Sequence, residues 1–154
     1  MQNLKLDHFL PFRLSVLSNS VSRRISAIYA QEFDLSIWQW RILAVLGEHA
    51  NLTGTELAQR TQTDKPTVSR ATNELLSRGL IKRTQDVHDR RRAQICLTPA
   101  GQDIYDAVAP RILAHEADLL AQLSADDITQ LHRLLTRVAK AASPDTDLWQ
   151  DASS

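Results

Sequence analysis

The stretch DKPTVSRATNELLSRGLI, residues 64–81, decides how the chain is read. Asp64 is a good N-cap, Pro66 falls in the first turn where a missing N–H costs nothing, and Gly79 supplies a stop, so residues 64–80 read as one helix. At about 100° per residue, Val68, Ala71, Thr72, Leu75 and Leu76 share one side, the stripe expected to be buried. Opposite it lie Pro66, Ser69, Arg70, Asn73 and Ser77. An ordinary solvated helix face is filled with Glu and Lys. Hydroxyls, an amide and a guanidinium near a helix N-terminus are instead groups that hydrogen-bond base edges and phosphates. For this helix taken alone, plain surface stands as the alternative.

The neighbours on both sides narrow the choice. Residues 55–60 form a short helix with Leu57 and Ala58 as its apolar pair and Thr53 or Thr55 as its cap, and residues 61–63 connect it to the helix above. Two short helices joined by a tight turn are a helix-turn-helix pattern, and Thr53 and Thr55 are counted with its DNA-facing residues. Past Gly79 the period becomes strand-like in residues 80–84 and again in residues 93–97, separated by QDVHDRRR. This is a β-hairpin wing whose arginine-rich tip has the reach and charge to enter a minor groove. A charged hairpin loop in isolation is also often only solvated.

Further out, the chain reads as packing helices. Ser36 caps a helix carried by Ile37, Trp40, Ile42, Leu43, Val45 and Leu46 to about His49, interrupted at the weak helix former Gly47, with Trp38 and Arg41 off its core face. Residues 8–33 place Leu10, Leu14, Leu17, Val21, Ile25 and Ile28 in a heptad-like seam, and Pro11 confines the start of that helix, leaving residues 1–9 as an extended or frayed lead-in. The spacing fits a core helix or a subunit interface equally. Thr98 and Pro99 restart a helix to about Leu123 through Ile104, Val108, Ile112, Leu119 and Leu120, with a bend expected at Pro110. Ser124 and Asp127 form a capping box with Asp in place of Glu, and Ile128, Leu131, Leu134, Leu135 and Val138 make a strong apolar stripe behind it. Residues 143–154, acidic and with a lone Trp149, are expected to be a disordered tail.

Composition sets the outer bounds. A chain of 154 residues with 43% hydrophobic content suits one domain with a real core. No stretch has the apolar length to cross a bilayer and MQNLKLDHF lacks a signal-peptide pattern, so a cytoplasmic location and no membrane partner are expected. Cys96, the single cysteine, permits no internal disulfide and falls in a wing strand, where a thiol is usually inert filler. Net charge is zero but unevenly spread: residues 51–98 hold nine Lys/Arg against five Asp/Glu, and residues 99–154 four against nine. One local surface, rather than the whole molecule, can therefore meet an anionic polymer.

The same inspection argues against catalysis and cofactors. There is no P-loop, the four glycines are never paired, and no nucleophile has a recognisable base. His115, Glu116, Asp118 and His132 could supply metal ligands, but on amphipathic helices such residues are more often solvated, so no metal is expected. The competitor to DNA binding is a winged-helix module that binds protein, with the acidic C-terminal half as its surface.

At this point the order of elements, the run DKPTVSRATNELLSRGLIKR, the wing segment DVHDRRR and the join LTPAG together resemble the MarR family of bacterial transcription regulators, over about residues 7–142. The wing segment is the most specific part. The resemblance implies a mainly α fold with a small β-hairpin wing: a winged helix-turn-helix lobe at about residues 36–98, and dimerisation helices at about residues 8–35 and 99–142. It implies a homodimer on double-stranded DNA, with Lys65, Pro66, Thr67, Ser69, Arg70 and Asn73 facing the major groove. Arg91 matches the family's wing-tip arginine, Asp89 is placed to orient it, and Arg90 is a phosphate contact. His88 stands where many members have Arg, leaving open a missing charge or one lost above about pH 6.5, and Arg92 can restore it. The family's small-molecule effector, commonly an aromatic acid, implies a pocket here of Phe9, Arg13, Val16, Trp38, Arg41 and His49. The peroxide-sensing members' cysteine near the first helix is missing.

Overall fold

The computed structural model describes residues 4–85 and 93–145. A 3-10 turn at Leu6–His8 precedes α1 (Leu10–Phe33), α2 (Ile37–Glu48), α3 (Gly54–Thr61), α4 (Lys65–Ser77), β1 (Ile81–Gln85), β2 (Ala93–Leu97), α5 (Pro99–Leu120) and α6 (Ala125–Ala142). The two strands pair antiparallel, with Ile81 opposite Leu97 and Gln85 opposite Ala93. This is a mainly helical winged helix-turn-helix architecture carrying long flanking helices.

Side-chain caps set the helix starts. Ser36, Thr53 and Ser124 each complete a capping box, with Gln39, Glu56 and Asp127 reaching back, while Asp64 and Thr98 accept from the amides three residues on. Each satisfies an amide that the first helical turn leaves without a partner. Helix α4 stops three residues short of the expected Leu80, because Gly79 adopts φ +68 and turns the chain. Leu80 N–H then donates to Leu75 C=O (3.0 Å) and Gly79 N–H to Leu76 C=O (3.0 Å), the paired bonds of a Schellman stop.

The core lies in the lobe made by α2, α3, α4 and the hairpin. Ile42, Leu43, Leu46, Leu57, Val68, Leu75, Ile81 and Ile95 are buried there, and Tyr29 of α1 and Val108 of α5 join them. Three rings fasten the long helices to this lobe. Tyr29 stacks on Trp40 at 5.6 Å, and Trp40 on Tyr105 at 6.2 Å, so α1, α2 and α5 each contribute one ring.

Several expectations need correction. The lead-in is not simply extended, since Phe9 N–H donates to Leu6 C=O (3.0 Å) and closes a turn. Helix α2 runs through Gly47 without interruption, because Tyr105 lies over it and a Cβ there would come within 2.5 Å of the ring. The glycine admits a neighbouring helix. Helix α5 ends at Leu120 rather than Leu123. Leu76, expected in the buried stripe of α4, is only half-buried. The tail's residues 146–154 lie outside the described residues.

The amphipathic seams are not covered within one chain. Leu10, Leu14 and Leu17 are exposed, and so are Leu131, Leu134, Leu135 and Val138 of α6. Ile25 and Ile28, at the other end of α1, pack against the core.

Gly47→Ala forces the Tyr105 ring aside in a packed layer, and overpacking of this kind costs about 1–3 kcal/mol. Chemical denaturation should show that loss in the midpoint. An unchanged midpoint would mean that Tyr105 does not hold this position.

Candidate nucleic-acid interface

The turn between α3 and α4 is built from local chemistry. Gln62 takes a left-handed conformation (φ 49), Thr63 N–H donates to Ala58 C=O (3.1 Å), and Thr61 Oγ1 donates to Leu57 C=O (2.6 Å). Asp64 then opens α4: its Oδ1 accepts from Thr67 N–H (2.9 Å) and its Oδ2 from Thr67 Oγ1 (2.8 Å). These bonds, the backbone one foremost, hold the Asp64 carboxyl below the usual carboxylate value, with a smaller contribution from the Arg70 charge.

With Val68, Ala71, Thr72 and Leu75 buried, α4 turns Lys65, Pro66, Ser69, Arg70 and Asn73 outward. Thr67 differs from the other expected major-groove residues. It is half-buried and its hydroxyl is committed to Asp64. Thr53 is likewise half-buried and bound to Glu56 through the cap of α3, whereas Thr55, one turn position further on, is exposed.

The base of the wing is fixed to both helices. Leu52 N–H donates to Ile95 C=O (3.0 Å) and Ile95 N–H to Leu52 C=O (2.7 Å), which ties the segment before α3 to β2. Thr98 N–H donates to Leu80 C=O (3.1 Å) and Thr98 Oγ1 to Gly79 C=O (2.7 Å), while Gly101 packs so closely on the Leu80 carbonyl that a Cβ would collide with it. On β1, Arg83 Nη2 donates to Asn73 Oδ1 (3.2 Å). Arg83 was not among the expected site residues. Strand alternation after Gly79 carries the missing signal, since it puts Arg83 on the same face as Ile81, toward α4. Between α3, α4 and the wing, Thr55, Lys65, Ser69 and Arg83 line a recess of about 290 Å³. Thr72 also borders it, with a buried Oγ1 that has no hydrogen-bond partner among the described residues.

His88, Asp89, Arg90 and Arg91, with Arg92, lie outside the described residues.

The six residues expected to form a ligand pocket are divided between two places in the chain. Arg13 and Val16 line a groove of about 430 Å³ with Asp7, Phe12 and Leu17, and exposed Phe9 caps the helix they stand on. On α2, the Arg41 guanidinium sits 5.1 Å over the Trp38 ring, a cation–π contact. Arg41 also borders a second recess of about 530 Å³ with Trp40, Val45 and Arg60. His49 does not line either recess. Its Nε2 lies 2.9 Å from Arg60 Nη1, and because arginine has only donors, that nitrogen accepts. Glu48 Oε2 approaches the same nitrogen at 3.7 Å, which would require a proton on it; the shorter contact governs.

A helix with a polar outer face, held by a tight turn and flanked by a hairpin, defines a winged helix-turn-helix protein. The MarR family's sequence model matches residues 33–92. The homoprotocatechuate degradative operon repressor of Escherichia coli is 29% identical over 102 residues, 66% of this chain and 69% of that protein. A probable transcriptional regulator from Pseudomonas aeruginosa is similar in structure, with TM-score 0.67 and 30% identity over 87% of this chain and 99% of its own. Staphylococcus aureus MepR, solved in a DNA complex, superposes with TM-score 0.79 at 27% identity, covering 86% and 98% of the two chains. The chain belongs to the MarR family of transcriptional regulators.

Because the Asp64 carboxyl titrates below its ordinary value of 3.8, its contribution to stability is complete above that pH and is lost as pH falls through the lowered value. Asp64→Ala should therefore lower the thermal midpoint at pH 7, and the gap to the wild type should narrow as the pH is taken below 3.8. A gap that persists undiminished in acid would show that the cap does not act through the carboxylate.

Proposed function

We propose that the chain is a sequence-specific repressor that binds an inverted-repeat operator as a homodimer and is released by a small aromatic acid or its thioester. The observation carrying this reading is the outward face of α4, where Lys65, Ser69, Arg70 and Asn73 stand exposed on a helix whose opposite side is buried. Groups of this kind at a helix N-terminal half fit base edges in a major groove. In this reading Pro66 gives the helix a close approach, Thr55 and Thr53 stand beside the backbone, and Thr67 acts through the cap. Arg90 contacts phosphate, and Arg91, oriented by Asp89 beside His88, enters the minor groove.

Residues 36–98 form the reading lobe, and residues 8–35 and 99–142 the dimerisation region. The support for a second copy is the uncovered apolar side chains of α1 and α6, more than a lone chain leaves in water without a partner. Two recognition helices about 34 Å apart then read the two halves of the operator. Among the described residues no helix is long and apolar enough to cross a membrane, and the protein acts where its DNA is, in the cytoplasm, without enzymatic activity. Support for repression comes from the E. coli relative, named for an operon that degrades an aromatic acid. The effector region combines the groove holding Arg13 and Val16 with the recess holding Arg41, the cations meeting the carboxylate and Trp38 the ring, while Phe9 stands exposed at the start of α1 and His49 positions Arg60.

In a shift assay with two chains per operator, Arg70→Ala should cost about 1–3 kcal/mol at one base pair, whereas Arg90→Ala should weaken binding to all sequences and reduce the salt slope by about one. Wild-type affinity of Arg70→Ala for both operator and random DNA would overturn the assignment.

Aromatic acids and their coenzyme A thioesters titrated into the protein–operator complex should release DNA. Release by none of them would remove the effector reading.

A further inference from the structure

The end of α1 and the C-terminal half of α4 are joined by a side-chain contact. The left-handed turn at Asp34 (φ 50) ends α1, and Asp34 N–H uses only the Ala30 carbonyl (3.1 Å). The carbonyls of Phe33 and Asp34 point onward without a helical donor, at the negative end of a 24-residue helix with no basic residue in its last turn. Arg78, the C-cap residue of α4, supplies the missing cation. Its Nη2 donates to Phe33 C=O (2.6 Å) and its Nη1 to Asp34 C=O (2.7 Å).

A second tie lies one turn back on α4. Gln39 completes the capping box of α2 by accepting from Ser36 N–H (2.9 Å), and its Nε2 donates to Glu74 Oε2 (2.7 Å). Gln39 is buried while Glu74 is exposed, so the bond reaches from the core of the lobe to its surface. The corner between α1 and α2 thus grips α4 at two points, Glu74 and Arg78. One residue before that corner, Glu32 pairs with Arg111 of α5 at 2.5 Å. The end of α1 thus carries side-chain contacts to both α5 and α4.

We infer that Arg78, seconded by Glu74, is a positioning residue that sets the angle of the recognition helix from the end of α1. This rests on the reading of α4 as the DNA reader. A guanidinium held by two carbonyls in a plane fixes direction as well as distance, which a single-point ammonium does not. Displacement of α1 relative to the lobe is then passed to α4 by hydrogen bonds rather than by loose packing. Arg78 sits at the far end of α4 from Lys65 and Pro66, so its effect on DNA runs through the helix.

The experiment compares wild type, Arg78→Met, Arg78→Lys and Glu74→Ala as full chains, on an operator fragment selected by the wild type from genomic DNA and on random duplex, across a salt series. Circular dichroism establishes that each variant is folded at the assay temperature. Arg78→Met should lose about ten-fold in operator affinity, comparable to one lost base contact, with random-duplex affinity and salt slope unchanged. Arg78→Lys should recover part of the loss, and Glu74→Ala should show the same selective loss to a smaller degree. Equal loss on both duplexes with a salt slope lower by about one would make Arg78 a phosphate contact and overturn the inference. Wild-type operator affinity in the folded variants would overturn it too, and if Arg78→Met does not fold, Glu74→Ala and Arg78→Lys decide alone. A wild type without sequence preference would instead overturn the DNA-reading assignment, and this inference with it.

Discussion

The stack of Tyr29 on Trp40 and Trp40 on Tyr105 is the contact on which the rest of the molecule depends. It is where two long helices with little buried surface of their own meet the lobe that has a core. Each aromatic pair adds about 0.5–1.5 kcal/mol beyond the area it buries. Its larger effect is geometric, because flat rings fix the spacing and tilt of three helices at once. Burial pushes the Tyr29 hydroxyl pKa up, and the nearby Arg41 charge opposes that. Gly47 completes the arrangement by leaving room for the third ring.

On that base the lobe separates two demands made of polar side chains. Backbone amides at helix starts are satisfied by Ser36, Thr53, Asp64, Thr98 and Ser124, each next to its own helix. Residues that could otherwise read DNA are partly taken up by this duty, as Thr53 and Thr67 are. The ones left facing outward, Lys65, Ser69, Arg70 and Asn73, sit on a helix whose ends are already fixed, so a ligand need not order them from scratch.

The parts of the fold legible in the sequence are those with local causes. Caps act over three residues, amphipathic stripes over a few turns, and strand alternation over five residues, so α1 to α6 and the hairpin could be placed with errors of a few residues at their ends. Gly47 was misread because its reason, Tyr105, is far along the chain, and propensity alone counts a helical glycine as a break. Arg78 and Arg83 were passed over for the same reason: their partners, Phe33, Asp34 and Asn73, are brought to them by tertiary packing. The ligand set rests on a family resemblance rather than on a local cause. Its six residues fall on the start of α1 and on α2, with His49 in contact with Arg60, an arrangement that no local periodicity in the sequence encodes.

The closure at the foot of the hairpin has a consequence for how substitutions act on it. Gly79, Leu80, Thr98 and Gly101 lock the start of β1 to the start of α5, and Leu52 locks β2 to the segment before α3. The register of the ladder is therefore decided at its base. Among the described residues, the backbone bonds that tie the hairpin to its neighbours lie toward this base, away from Gln85 and Ala93. Substitutions at Gly79, Thr98 or Gly101 would therefore displace the whole ladder, whereas those on the outer faces of the strands would act locally.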